Sequence, residues 1–197
     1  IRAIIMSANK QPSGNNHLRL RDIKKFEMLI SNESNNLKEN DFYIPVTKIS
    51  YCLRVLFNNK EILEKTLNSI NTIFMEKNSN VLIWIYDDTL IGYLENDEEL
   101  NEFIEILKMH SFQSIGLSSK FENTSLNDIS KMNAQAQTAM LAAEANGEQL
   151  SKWDNIGIEK IVYNIDELTL FKSLDDEILS PIIEYDRKKD GELMETL

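Results

Sequence analysis

The chain has 197 residues, 42% of them hydrophobic and 27% charged, with a formal net charge of −11. That content suffices for one full core plus a helical appendage and excludes disorder along the whole length. The acidic balance argues against nucleic-acid binding by these residues alone, because phosphate contacts need a surplus of Lys and Arg on one face. No apolar run approaches the roughly 20 residues that span a bilayer. The opening IRAIIMSANKQ turns polar too soon for a signal peptide, so a cytoplasmic setting without membrane contact is expected. The lone Cys52 cannot form an internal disulfide and, inside an apolar run, reads as a small buried hydrophobe.

Charge is unevenly spread. Residues 1–50 carry 8 Lys and Arg against 5 acids, whereas residues 51–197 carry 13 against 27, which marks a boundary near residue 50. Residues 1–49 are expected to be an N-terminal helical linker region. Within them, NNHLRLRDIKKFEMLIS places Leu18, Ile23, Phe26, Leu29 and Ile30 at helical spacing. Its interleaved Arg19, Arg21, Lys24 and Lys25 could meet phosphates, but without aromatics or glycines beside them they fit a solvated face better. A polar loop, SNESNNLKEND, follows, and Pro45 leads into a strand, SYCLRVLF, at 50–57.

Asn58 with Glu61 resembles a capping box opening a helix to about Lys77, with Ile62, Leu63, Leu67, Ile70, Ile73 and Phe74 on one face. Two apolar runs, VLIWIY and TLIGYL, are joined by Asp87 and Asp88, which predicts an antiparallel hairpin. Asn96 and Glu99 open another helix with Leu100, Phe103, Ile104 and Leu107 inward, and Lys108 and His110 suit its C-terminal dipole. FQSIGLSS reads as a fourth strand. Ser125 with Asp128 starts an alanine-rich helix that Gly147 ends, and QLSKW is an edge-strand candidate. The remainder reads as helical: IEKIVYNI, ELTLFKSL, DDEILSPIIEY with a break at Pro181, and GELMETL.

Strand, helix, strand, strand, helix, strand is the split βαβ order of ferredoxin-like and nucleotide-cyclase-like folds. The expected class is therefore α+β, an antiparallel sheet covered by helices on one face over residues 50–153, followed by a helical segment at 154–197.

Few residues suggest chemistry. Two-metal nucleotidyl transfer needs carboxylates from separate strands within about 4 Å of the metals. Asp87 and Asp88 are neighbours on one turn and are expected to be its solvated tip. In the active diguanylate cyclases, whose element order this chain resembles, a Gly-Gly-Asp/Glu-Glu-Phe sequence occupies this hairpin and an acid follows the first strand. Here Tyr86 stands where a glycine would let substrate approach, and the first strand ends in Phe57, Asn58 and Asn59. His17 and His110 have no ligand partners at metal spacing. Phosphate-loop, dinucleotide and serine-hydrolase motifs are absent. Met132 and Met140 read as core filler or as a face for a partner helix, and Trp153 as a core anchor. No catalytic, cofactor or metal residue is assigned, and no cofactor is expected.

Four segments, IGLSS at 115–119, AQAQTAMLAA at 134–143, WDNIGIEKIVYNI at 153–165 and SPIIEYDRKKDGELMETL at 180–197, together resemble the purine-catabolism and sugar-diacid (PucR/CdaR) type of bacterial transcriptional regulator. Tyr185–Asp186, Gly191–Leu193 and Thr196–Leu197 are the most specific of these. The resemblance implies a degenerate, GGDEF-like regulatory domain without catalysis, working as a homodimer between an upstream sensor and a C-terminal helix-turn-helix that binds DNA. That DNA-binding signature is not within these residues. The apolar face of the last helix, at Leu193, Met194 and Leu197, is expected to mark where that domain begins, and the non-Met start to mark a missing sensor region. The effector is left open. Two alternatives remain, a divergent nucleotide-binding cyclase domain and a stand-alone interaction module.

Overall fold

A computed structural model describes residues 14–157 and 160, except 32, 34, 35 and 78. The chain divides into two compact units, Ile1–Asn155 and Ile156–Leu197. Among the described residues, the sheet and four α-helices lie in the first. Apart from Lys160, the helices predicted from IEKIVYNI onward fall outside the described residues. Among the described residues no helix is long and apolar enough to cross a membrane.

The class is α+β. Helix α1 (Gly14–Ile30) precedes β1 (Tyr51–Leu56), α2 (Lys60–Glu76), β2 (Leu82–Tyr86), β3 (Thr89–Leu94), α3 (Asp97–Lys108), β4 (Ser114–Leu117), α4 (Leu126–Asn146) and β5 (Leu150–Lys152). The spatial order is β2-β3-β1-β4-β5. Pairing is antiparallel between β2 and β3, β3 and β1, and β1 and β4, with Leu53 opposite Gly92 on one side and Leu117 on the other. The sheet is nevertheless mixed, because β5 joins β4 in parallel, Gly116 beside Ser151. The long crossover through α4 makes that direction possible, since a parallel neighbour cannot be reached by a hairpin.

The helix ends follow side-chain capping. Asn59, one residue later than the predicted Asn58, caps α2 by accepting from the Glu61 N–H at 2.7 Å. Asn96 accepts from the Glu99 N–H at 2.9 Å as expected, and the Glu99 carboxylate accepts in turn from the Glu95 N–H at 2.8 Å. Asp128 accepts from the Ser125 N–H at 2.9 Å. Gly147 ends α4 at φ 70°, where a side chain would be strained. Each such cap stabilises its helix by about 1 kcal/mol.

Helices cover both faces of the sheet, not one. Alternation along β1 sends Tyr51, Leu53 and Val55 to a core with Leu63, Ile70 and Phe74 of α2 and Phe103, Ile106 and Leu107 of α3. Cys52 goes to a second core with Phe26 and Leu29 of α1, Ile129, Met132 and Ala136 of α4, and Ile91 and Tyr93 of β3. On α2 and α3 the predicted Ile62, Leu67, Ile73 and Ile104 only flank the first core. Residues expected as linker thus supply core: besides α1, the segment after it contributes Phe42, Ile44, Val46 and Ile49. Asp22 ties the two together. Its fully buried carboxylate accepts from the Ile44 N–H at 2.8 Å, with the Lys25 ammonium 3.5 Å from its other oxygen. Arg19 is not wholly on a solvated face either, since its guanidinium donates to the Ser79 carbonyl.

Helix α4 rests directly on β4. A Cβ at Gly116 would lie 2.0 Å from the Ala136 carbonyl oxygen and 2.1 Å from the Met140 nitrogen. Both obstacles are backbone, so they cannot turn aside as a side chain would. Gly116→Ala should therefore cost about 3 kcal/mol, the upper end for overpacking, read as a lowered urea midpoint.

Candidate functional site

The residues singled out in the hairpin sit at one end of the sheet. Tyr86 pairs with Thr89, which leaves Asp87 and Asp88 as a two-residue turn. Their φ values of 48° and 57° define the mirror-image turn that fits the twist of a hairpin and favours Asn-Gly. Aspartate tolerates this conformation better than most residues, but two in succession are strained. Both are exposed, as expected for a solvated tip. Because Val55 pairs with Leu90, the C-terminal end of β1 opens at the same place, and Phe57, Asn58 and the α2 cap Asn59 lie there.

Under the turn, on the α4 face, lies a group that the sequence reading left unremarked. Arg54 is only 2% exposed. Its Nε and Nη2 donate to Thr89 Oγ1 at 3.1 and 2.7 Å, and Nη2 also donates to the Tyr86 carbonyl at 3.1 Å. Nη1 donates to Gln137 Oε1 at 3.0 Å and, more weakly, to Asn133 Oδ1 at 3.4 Å. The Thr89 hydroxyl in turn donates to the Tyr86 carbonyl at 2.8 Å. The guanidinium carbon stands 5.6 Å from the Tyr86 ring centroid. All five N–H groups of the side chain have acceptors, and every acceptor is neutral.

Among the described residues no carboxylate forms an ion pair with Arg54. Burial lowers its pKa, while the charge of Asp87 acts in the opposite direction. The same acid helps raise its neighbours, after burial in each case: the Tyr86 phenol, and the Glu27 carboxyl, which Lys24 opposes. The signal for Arg54 was present as one guanidinium inside CLRVL, and face parity alone would have placed it beside Cys52 and opposite the α2 side.

The other candidates are dispersed. His17 is exposed on α1 and His110 follows α3, and among the described residues no group of His, Cys, Asp and Glu comes together as a metal site. Met132 and Met140 are buried in this chain, so the face read as core filler or as a seat for a partner helix is occupied by the sheet. Trp153 is buried, as expected of an anchor. Cys52 is fully buried, and burial pushes its thiol up to about 12. At the opposite end of the sheet Tyr51 donates to Asp97, whose carboxylate also meets the Lys120 ammonium at 2.8 Å. Hydrogen bonds from Lys120 and Tyr51 hold Asp97 below the usual carboxylate range.

The chemical capacity of the turn is limited by its geometry. It offers two adjacent carboxylates on one loop, with amides at the end of β1 and a buried, saturated cation beneath. No protein-family model, curated protein or solved structure matches the chain.

Two outcomes follow from these environments. Replacing the turn by Asn-Gly (Asp87→Asn with Asp88→Gly) should raise stability by about 1 kcal/mol, measured by urea denaturation, because the strain at both positions is relieved. Cys52 should remain unmodified by a thiol reagent at pH 8 in the native protein and react fully in denaturant, since a buried thiol with a raised pKa supplies no accessible thiolate.

Proposed function

We propose that this chain is a non-catalytic regulatory domain of a bacterial transcriptional regulator similar to the purine-catabolism and sugar-diacid type, with a degenerate, GGDEF-like version of a cyclase-like fold. The observation that carries the reading is the composition of the sheet end where chemistry would be required. The acids its strands supply there, Asp87 and Asp88, belong to a single turn, the neighbouring Glu27 comes from helix α1, and the residues that follow β1 are Asn58 and Asn59. A pair of divalent ions bridging a triphosphate calls for carboxylates from different strands. Beneath the turn, Arg54 already spends its donors on protein acceptors.

The strand order supports the fold half of the proposal. Four antiparallel strands in the order β2-β3-β1-β4, with helices after β1 and β3, are what a split βαβ repeat produces. Two of the segments that carry the resemblance also meet in space: Gly116 of IGLSS receives Ala136 and Met140 of AQAQTAMLAA.

In this reading the domain self-associates and relays a change from an upstream sensor to a helix-turn-helix lying outside residues 1–197. A signal acts by favouring one of two packings, and the dimer thereby sets the distance between two DNA-reading heads, half-sites being about one helical turn apart. Calorimetric titration with GTP and Mg²⁺ should give no magnesium-dependent heat and no pyrophosphate. The full-length protein should sediment as a dimer and retard its own promoter DNA on a gel. Turnover of GTP, or a full-length protein that stays monomeric and retards no DNA, would overturn the assignment.

A further inference from the structure

We propose that Arg54 is the coupling element of this domain: it obliges the β2–β3 turn and helix α4 to shift together. The inference rests on reading the domain as a relay and adds the route by which a change at the turn crosses the sheet.

The guanidinium divides its bonds between the two elements. Three go to the hairpin, two of them to Thr89 Oγ1 and one to the Tyr86 carbonyl, and two go to α4, to Asn133 and Gln137. The side chain itself is rooted in the central strand β1, between β3 and β4. A surface arginine that lost one of these acceptors would replace it with water. Arg54 is 2% exposed and cannot do so cheaply. If the turn withdrew from α4, the planar fork could follow one of them only, leaving charged donors without acceptors in a site that water does not reach. A buried carboxylate beside it would hold the cation regardless of what the hairpin did, but every acceptor in contact is neutral. The network is therefore complete or broken as a unit, which is the property required of a switchable link.

A second feature makes the turn a sensible input. Asp87 is exposed, yet its charge is felt by Arg54, Tyr86 and Glu27, so whatever neutralises or reorients Asp87 changes the setting of the cation below. Farther along the same face, the Tyr93 hydroxyl donates to the Ile129 carbonyl at 2.9 Å and pins the first turn of α4 to β3. The Arg54 link acts about one and two turns beyond that pin, where Asn133 and Gln137 project.

Amide hydrogen exchange on the purified chain tests the coupling, with the Asp87→Asn/Asp88→Gly turn as the perturbation. Among amides that exchange by local opening rather than by global unfolding, the relieved turn should slow exchange about fivefold in peptides covering 84–90 and also in those covering 130–140, while those of α2 on the opposite face are unchanged. In a background carrying Asn133→Ala and Gln137→Ala, which keeps the hairpin half of the network, the slowing should stay within the hairpin. Arg54→Lys should confine it likewise, because an ammonium keeps the charge but cannot span both elements. An equal slowing of the locally opening amides of α2 would overturn the proposal. So would an α4 response that persists without the two amides, or one that never appears. None of these outcomes depends on GTP or DNA, so failure here leaves the regulator assignment standing, and failure of that assignment leaves the coupling measurable.

Discussion

Everything on the second face of the sheet follows from the absence of a side chain at Gly116. With only hydrogen there, the backbone of α4 comes down onto β4 at Ala136 and Met140. That approach sets the height of the whole helix. It seals Ile129, Met132 and Ala136 against Ile91 and Tyr93, brings Gln135 within 3.1 Å of the Ser119 N–H, and leaves Asn133 and Gln137 at the right height to meet a guanidinium rising from β1. A helix held farther off by even one methyl group would leave those amides short of their donors and open a gap in a core where tight packing supplies part of the stability.

The two faces use different materials. Towards α2 and α3 the core is apolar, with Leu53, Val55, Phe74 and Phe103 at its centre. Towards α1 and α4 it is part aromatic and part polar. Phe26 lies edge-on to Tyr93 at 5.0 Å, and Trp84 stacks on Tyr93 at 5.8 Å, while Arg54 and Asp22 are buried at separate points. A buried charge is seldom a source of net stability, because desolvation offsets what its hydrogen bonds return. Such groups instead define which arrangement is allowed. Asp22 selects the path of the chain through Ile44, and Arg54 selects the position of the turn. One half of the domain is thus built for burial and the other for a unique geometry.

Much of the architecture was legible because local rules and tertiary packing agree. Capping residues located the starts of α3 and α4, and the two-residue acidic link located the hairpin. The one-sided cover was misjudged, although the evidence lay in VLIWIY and TLIGYL: a strand with one wet face alternates, and these do not, so their continuous apolar character required helices on both sides. The residues at 42–49 carried no periodic signal because they are irregular chain around one short 3-10 turn, Val46–Lys48, held to α1 through the Ile44–Asp22 bond. The parallel β5 could not be read from three residues, since direction is decided by the crossover before it. For the site, the expectation of an exposed acidic tip agrees with the placement of Asp87 and Asp88. Arg54 escaped notice because charge inside an apolar strand has no motif, and its partners, near residues 86–89 and 133–137, are brought to it only by folding.

The position of α1 carries a consequence for how the chain is made. Phe26 and Leu29 leave the ribosome early, yet the surface that covers them includes Tyr93 and Met132, which are synthesised much later. At roughly 5–20 residues per second, the first helix waits several seconds for its binding site. Nascent chains pausing in that interval display the apolar side chains of Phe26 and Leu29 with nothing to bury them, so α1 docks only after β3 and α4 have been made.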